Sequence, residues 1–179
     1  FSILRLAIDN KKIYLIILIF WCLLISCSKM STGEKGEQYY EKGDFKKAEE
    51  YFLKAVEKNK NNTAMNYLGS LYAKQEKYEL AEKYWKMAID NNNREAYFNL
   101  GNLYIELKKY DLAEQYYKLI EENNKIETLH ELGVVLHNLG VINEKKGDYI
   151  QAKEYYKKAF ENGYAESKQP LRDIEGMGY

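Results

Sequence analysis

Proline and cysteine are nearly missing from this chain: 179 residues hold one Pro and two Cys. So little proline leaves long stretches free to be helical. The cysteines, Cys22 and Cys27, stand together near the start, so a disulfide framework for the body is excluded, as is a cysteine metal site. Histidine is just as scarce, with His130 and His137 alone. Net charge is zero, from 27 basic and 27 acidic residues, which leaves no broad basic field for nucleic acid. The 11 glycines never gather into a phosphate-cradling loop.

What is there begins with an address. Lys11 and Lys12 precede "IYLIILIFWCLLI", residues 13–25, and then Ser26 and Cys27. A basic start, a short apolar run and a small residue describe a secretory signal. The run is too short to span a bilayer comfortably, which takes about 20 apolar residues. "Leu24-Ile25-Ser26-Cys27" also resembles the lipobox of bacterial lipoproteins. That resemblance implies cleavage before Cys27 and a lipid on its thiol. Two other readings stay open: an uncleaved anchor, or a start at Met30 that leaves a cytosolic protein. Losing residues 1–26 leaves 24 basic and 26 acidic residues, still nearly neutral.

The body repeats. "GDFKKAEEYFLKA" at residues 43–55 returns as "EKYELAEKYWKMA" at 76–88, as "KKYDLAEQYYKLI" at 108–120, and as "GDYIQAKEYYKKA" at 147–159. Ala48 and Ala81 are 33 apart, and Ala81 and Ala113 are 32 apart. Leu68-Gly69 and Leu100-Gly101 precede the second and third copies. Each unit reads as two amphipathic helices, small residues where they approach and large ones filling between. Asn-rich stretches at 59–62, 91–93 and 123–124 are expected to end each second helix, since Asn tolerates the left-handed cap.

These units resemble the tetratricopeptide repeat from about residue 29 to 165. The end of the last unit, residues 158–166, leans towards the related Sel1-like repeats. The proline usual after the second helix is missing. The resemblance implies an all-α fold, a right-handed α-solenoid of antiparallel helix pairs in about four units. Seven of the tyrosines (72, 78, 104, 110, 117, 149, 156) fall on its packing positions, which explains them as core rather than as a stacking platform.

No nucleophile and base come together in the sequence. His130 and His137 are two turns apart on one helix, about 10.5 Å, too far to share a metal. Glu127 and His130 have the spacing of half a di-iron site, but its second half is missing. No enzyme activity, cofactor or metal is expected. In the resembling family, partners lie along a concave groove lined by the first helices. The matching positions here are Tyr40, Asn66, Ser70, Phe98, Asn102, Ile105, Val134, His137 and Val141. Such a mixture suits an extended or helical peptide. The family's clamp for chaperone C-termini is not supported, since its first-unit positions hold Gly33 and Glu37.

One stretch breaks the rhythm. Residues 129–142, "LHELGVVLHNLGVI", write one heptad twice, and Ala113 to Ala152 stretches to 39 residues. Seven residues are nearly two helical turns, with a drift of about 20°, so the helix can lengthen by about 10.5 Å and keep its apolar stripe. The last unit should then have an elongated first helix whose near half lacks a partner. The tail, residues 163–179, is expected to fold over that half through Leu171 and Ile174.

These readings divide the chain into a signal at 1–26, a lipidated Cys27 with a flexible tether to 35, a solenoid at 36–165 and a capping tail at 166–179. The expected function is a lipid-anchored scaffold in the bacterial envelope, facing the periplasm from the outer membrane and holding protein partners. Lipoproteins of this build serve in outer-membrane protein insertion, as pilotins and as adaptors for wall hydrolases. Binding of cell-wall peptidoglycan through Tyr40 and Phe98 is the alternative.

Overall fold

The computed structural model describes residues 30–122 and 126–179; the signal and Cys27 lie outside the described residues. Among them are nine α-helices, one 3-10 turn and no strand. No helix of the described residues is long and apolar enough to cross a membrane. The chain divides into two compact units, Phe1–Tyr51 and Phe52–Tyr179.

The first unit holds α1 (Thr32–Glu41) and the start of α2 (Phe45–Asn59). Ser31 caps α1 with a reciprocal bond to Glu34, so the helix begins inside the stretch read as a tether. Tyr39 stacks on Tyr51 at 5.3 Å, and Tyr40 meets the Phe45 ring edge-on at 5.4 Å.

The second unit carries three complete pairs: α3 (Asn62–Lys74) with α4 (Tyr78–Asp90), α5 (Glu95–Glu106) with α6 (Tyr110–Glu122), and α7 (Leu129–Lys146) with α8 (Tyr149–Glu161). Each helix packs on its successor, the antiparallel stacking of an α-solenoid. A 3-10 turn (Ala165–Ser167) and α9 (Lys168–Gly176) close it. Pro170, the chain's one proline, sits in the first turn of α9, where no helical N–H is lost.

The contact that sets each pair is a glycine beneath an aromatic ring. A Cβ on Gly69 would lie 2.6 Å from Trp85, one on Gly101 2.7 Å from Tyr117, and one on Gly140 2.7 Å from Tyr156. All three glycines precede their aromatic by 16 residues. The aromatic rings are buried, as are Ala81, Ala113 and Ala152 of the same second helices.

That register settles which copy of the doubled heptad belongs to the pair. Gly140, in the second copy, takes the place of Gly69 and Gly101. Gly69 is the eighth residue of α3 and Gly101 the seventh of α5, but Gly140 is the twelfth of α7. The extra length therefore lies at the start of α7. It is shorter than two full turns, because α7 has 18 residues against 13 and 12 for its counterparts.

The tail docks through the expected residues but on a different surface. Ile174 is buried with Ala152 and Tyr156, and Leu171, Val141 and Tyr149 pack around them. Most of that surface is α8, not the near half of α7. The near half is met earlier: a Cβ on Gly133 would lie 2.6 Å from the Cβ of Tyr164. Tyr164 follows α8 directly, and α8 runs back towards the start of α7. It fills the place before the tail helix begins, so Leu171 and Ile174 find the next apolar surface.

Asparagine does two jobs where one was expected. Asn92 takes a left-handed φ of 65° just past α4, while Lys60 takes that conformation after α2, with φ 49°. Asn61 and Asn93 instead accept the backbone N–H of Ala64 (2.7 Å) and Ala96 (3.0 Å), capping the next helix. The turn inside each pair is left-handed at Gly43, Glu76, Lys108 and Gly147, with φ between 57° and 84°.

Two outcomes follow for stability. Gly140→Ala must push Tyr156 off its seat and should cost about 1–3 kcal/mol, read by chemical denaturation. Lys108→Gly, at a backbone angle that side chains avoid, should stabilise by about 0.5–1 kcal/mol in the same measurement.

Candidate functional site

The first helices of the second unit stand side by side, joined by polar bonds on one face. Asn99 Nδ2 donates to Asn66 Oδ1 at 2.8 Å, linking α5 to α3. Ser70 Oγ donates to the Asn66 carbonyl at 3.2 Å, one turn back on α3. The Tyr117 hydroxyl donates to Asn102 Oδ1 at 2.5 Å, reaching past Gly101 to the groove side of α5. Phe98 packs its edge on the same tyrosine at 6.2 Å.

Asn66, Ser70, Phe98 and Asn102 thus form one cluster through Asn99 and Tyr117, and Ile105 lies on α5 one turn beyond Asn102. Asn102 is exposed and the others are half-buried. Because Asn102 Oδ1 is taken by the phenol, its amide hydrogens are left to a ligand. No member carries charge, so recognition here would rest on amide hydrogen bonds and apolar seating. Tyr40 belongs to the first unit and is half-buried.

The candidates in the last unit have other neighbours. Val134 is half-buried on α7. His137 lies between the rings of Tyr156 and Tyr164, at 5.3 and 5.1 Å, and its Nδ1 is 2.9 Å from Ser167 Oγ. Val141 packs on the cluster around Ile174. His137 and Val141 face the docked tail.

The aromatics at the glycine contacts differ in what they reach. The Tyr156 hydroxyl donates to Glu144 at 2.7 Å. Burial, then the Glu144 carboxylate, pushes that phenol far above its usual range, and burial alone does so for Tyr117. The same position on α4 is Trp85, whose Nε1 is buried without a partner among the described residues. Burial lowers the His137 pKa, against the pull of Glu166 and Glu144.

Charged bonds tie units together around this face. Arg94 pairs with Glu127 at 2.8 Å and Glu131 at 2.9 Å, so Glu127 is engaged by an arginine. Lys146 donates to Asp111 and Glu114 at 2.8 and 2.9 Å. No group of three or more His, Cys, Asp or Glu that could hold a metal occurs among the described residues.

Asn99, Tyr117 and Ser167 are the partners that sequence reading missed. Tyr117 falls on a packing position of the repeat, and the bare backbone of Gly101 beneath its ring lets the hydroxyl reach Asn102. Asn99 follows Phe98, which already filled the groove position. Ser167 carries no repeat signal.

The tetratricopeptide-repeat family matches residues 34–93 and again 94–163. Among solved structures, PilF of Pseudomonas aeruginosa superposes with a TM-score of 0.69 at 22% identity, over 80% of this chain and 65% of that one. MamA superposes with a TM-score of 0.68 at 22% identity, over 84% of this chain and 86% of that one. YrrB, described as a tetratricopeptide-repeat protein with an unusual peptide-binding site, gives 0.65 at 17% identity, over 82% and 76%. At these identities the likeness is one of fold. No curated protein matches the chain.

Proposed function

The chain belongs to the tetratricopeptide-repeat family, and from that premise we propose a lipid-anchored envelope scaffold that holds a peptide segment of a partner along α3 and α5. Repeats of this kind serve protein–protein interaction, and the finer reading rests on two supports. One is the sequence ending in Ser26-Cys27, whose likeness to a lipobox supports Cys27 as the anchored residue, with Ser28 rather than Asp after it supporting an outer-membrane place facing the periplasm. The other carries the most weight: the amide pair of Asn66 and Asn99 beside Asn102, flanked by Phe98 and Ile105.

Paired amides offer both donors and acceptors to a partner backbone, and the two apolar side chains can seat one of its side chains. Without a basic side chain in the cluster, the occupant is an internal, uncharged segment rather than an acidic terminus.

Cross-linking in intact cells, followed by capture, tests the reading. Phe98→Ala with Asn102→Ala should weaken recovery of the envelope partner by about 10- to 100-fold, the weight of a small hot spot. Recovery of purified wall material instead, lost in the same variant, would replace the scaffold with a peptidoglycan binder. Mass spectrometry of the mature N-terminus should find a diacylated Cys27; an unmodified residue or a start at Met30 removes the anchor.

A further inference from the structure

The tail is held at one point by chemistry that a proton can change. Ser167 is fully buried, and its hydroxyl has one side-chain partner among the described residues, His137 Nδ1 at 2.9 Å. A buried hydroxyl that only accepted would leave its own hydrogen unsatisfied, so the satisfied arrangement has Ser167 donating and Nδ1 accepting. That places the ring proton of neutral His137 on Nε2.

We propose that His137 and Ser167 form a proton-sensitive latch that holds the 3-10 turn and α9 on the last unit and loosens when His137 is protonated. A proton on Nδ1 turns the acceptor into a donor. Ser167 must then accept, and its O–H is left in a dry site with no replacement. The latch stands apart from the groove reading, since it concerns how the tail is held and not what α3 and α5 bind.

The groups facing the ring come from three elements. On α7 itself lie Glu144, two turns along, and His130, whose ring lies 5.6 Å from that of Tyr164. From α8 comes Tyr156, whose hydroxyl is bonded to Glu144. The turn after α8 brings Tyr164, Glu166 and Ser167. The two carboxylates and the two ring faces favour a cation. Glu144 already spends a lone pair on the Tyr156 phenol, and Glu166 is exposed to water, which screens it. Burial outweighs them, so His137 is held below the usual histidine value of 6.5.

The sign follows. A histidine whose docked pKa lies below its free value is protonated more readily when the tail is open. Docking is therefore complete above the free value of about 6.5 and weakens as pH falls through the docked value.

With two histidines in the chain, ring resonances can be assigned by single substitution, and hydrogen exchange of α9 amides, corrected for its intrinsic pH dependence, reports docking. In the full chain, α9 exchange should rise about fivefold between pH 7.5 and 5, the weight of one lost buried hydrogen bond, with the midpoint of the His137 ring. His137→Phe keeps a ring between the tyrosines and should flatten that dependence. If this variant does not fold, Ser167→Ala serves: the His137 midpoint should rise towards 6.5 and the pH step in α9 exchange should shrink. Exchange that stays flat while His137 titrates overturns the latch. So does an unchanged pH step in either variant.

Discussion

A missing Cβ in each first helix is the constraint on which the second unit depends. Gly69, Gly101 and Gly140 let a large aromatic from the following helix lie directly on backbone. That contact fixes the separation of the two helices, and the 16-residue spacing fixes the turn between them. Burying a Trp or Tyr in this way removes large apolar area from water, while the polar tip of the ring must still be served. Two of the tips are bonded to the first helix of their own pair, at Asn102 and Glu144, so the packing contact also positions polar side chains there. Core and site are two ends of one side chain.

This coupling explains which parts of the molecule were legible in the sequence. The helices, their pairing and the place of the glycines follow from periodicity, because local spacing decides them. The doubled heptad was read as an in-phase extension, and Gly140 sits where that reading needs it. What spacing does not carry is the path of the chain between elements. The insertion lengthens α7 by less than two turns, since α7 starts where Thr128 and Glu131 cap it reciprocally. The tail likewise shows its apolar residues, Leu171 and Ile174, but not their seat. Tyr164 was unremarkable in the sequence, yet it occupies the surface meant for them.

The candidate groove divides along the same line. Asn66, Ser70, Phe98, Asn102 and Ile105 were found by repeat position, which is a property of each helix alone. Their bonds to Asn99 and Tyr117 join different helices, and the bond of Asn66 to Asn99 also joins different repeat units. His137 shows the limit more plainly. It was singled out as a groove residue and weighed as a metal ligand, and its environment comes from Tyr156, Tyr164 and Ser167, as many as 30 residues away. Long-range neighbours decide what a titratable side chain does.

The duplication then has a consequence for the face that could meet a partner. Copying one heptad gave α7 two glycines where its counterparts have one. Gly140 keeps the pair in register, so Gly133 is left over at the start of the helix. A second bare patch of backbone invites a second ring, and Tyr164 supplies it. Once Tyr164 is seated there, the turn behind it must pass beside His137, and the chain continues onto Ala152 and Val141. The docked tail thus engages His137 and Val141 of the last unit. A seven-residue repeat of sequence has in this way given the chain a place to close on itself.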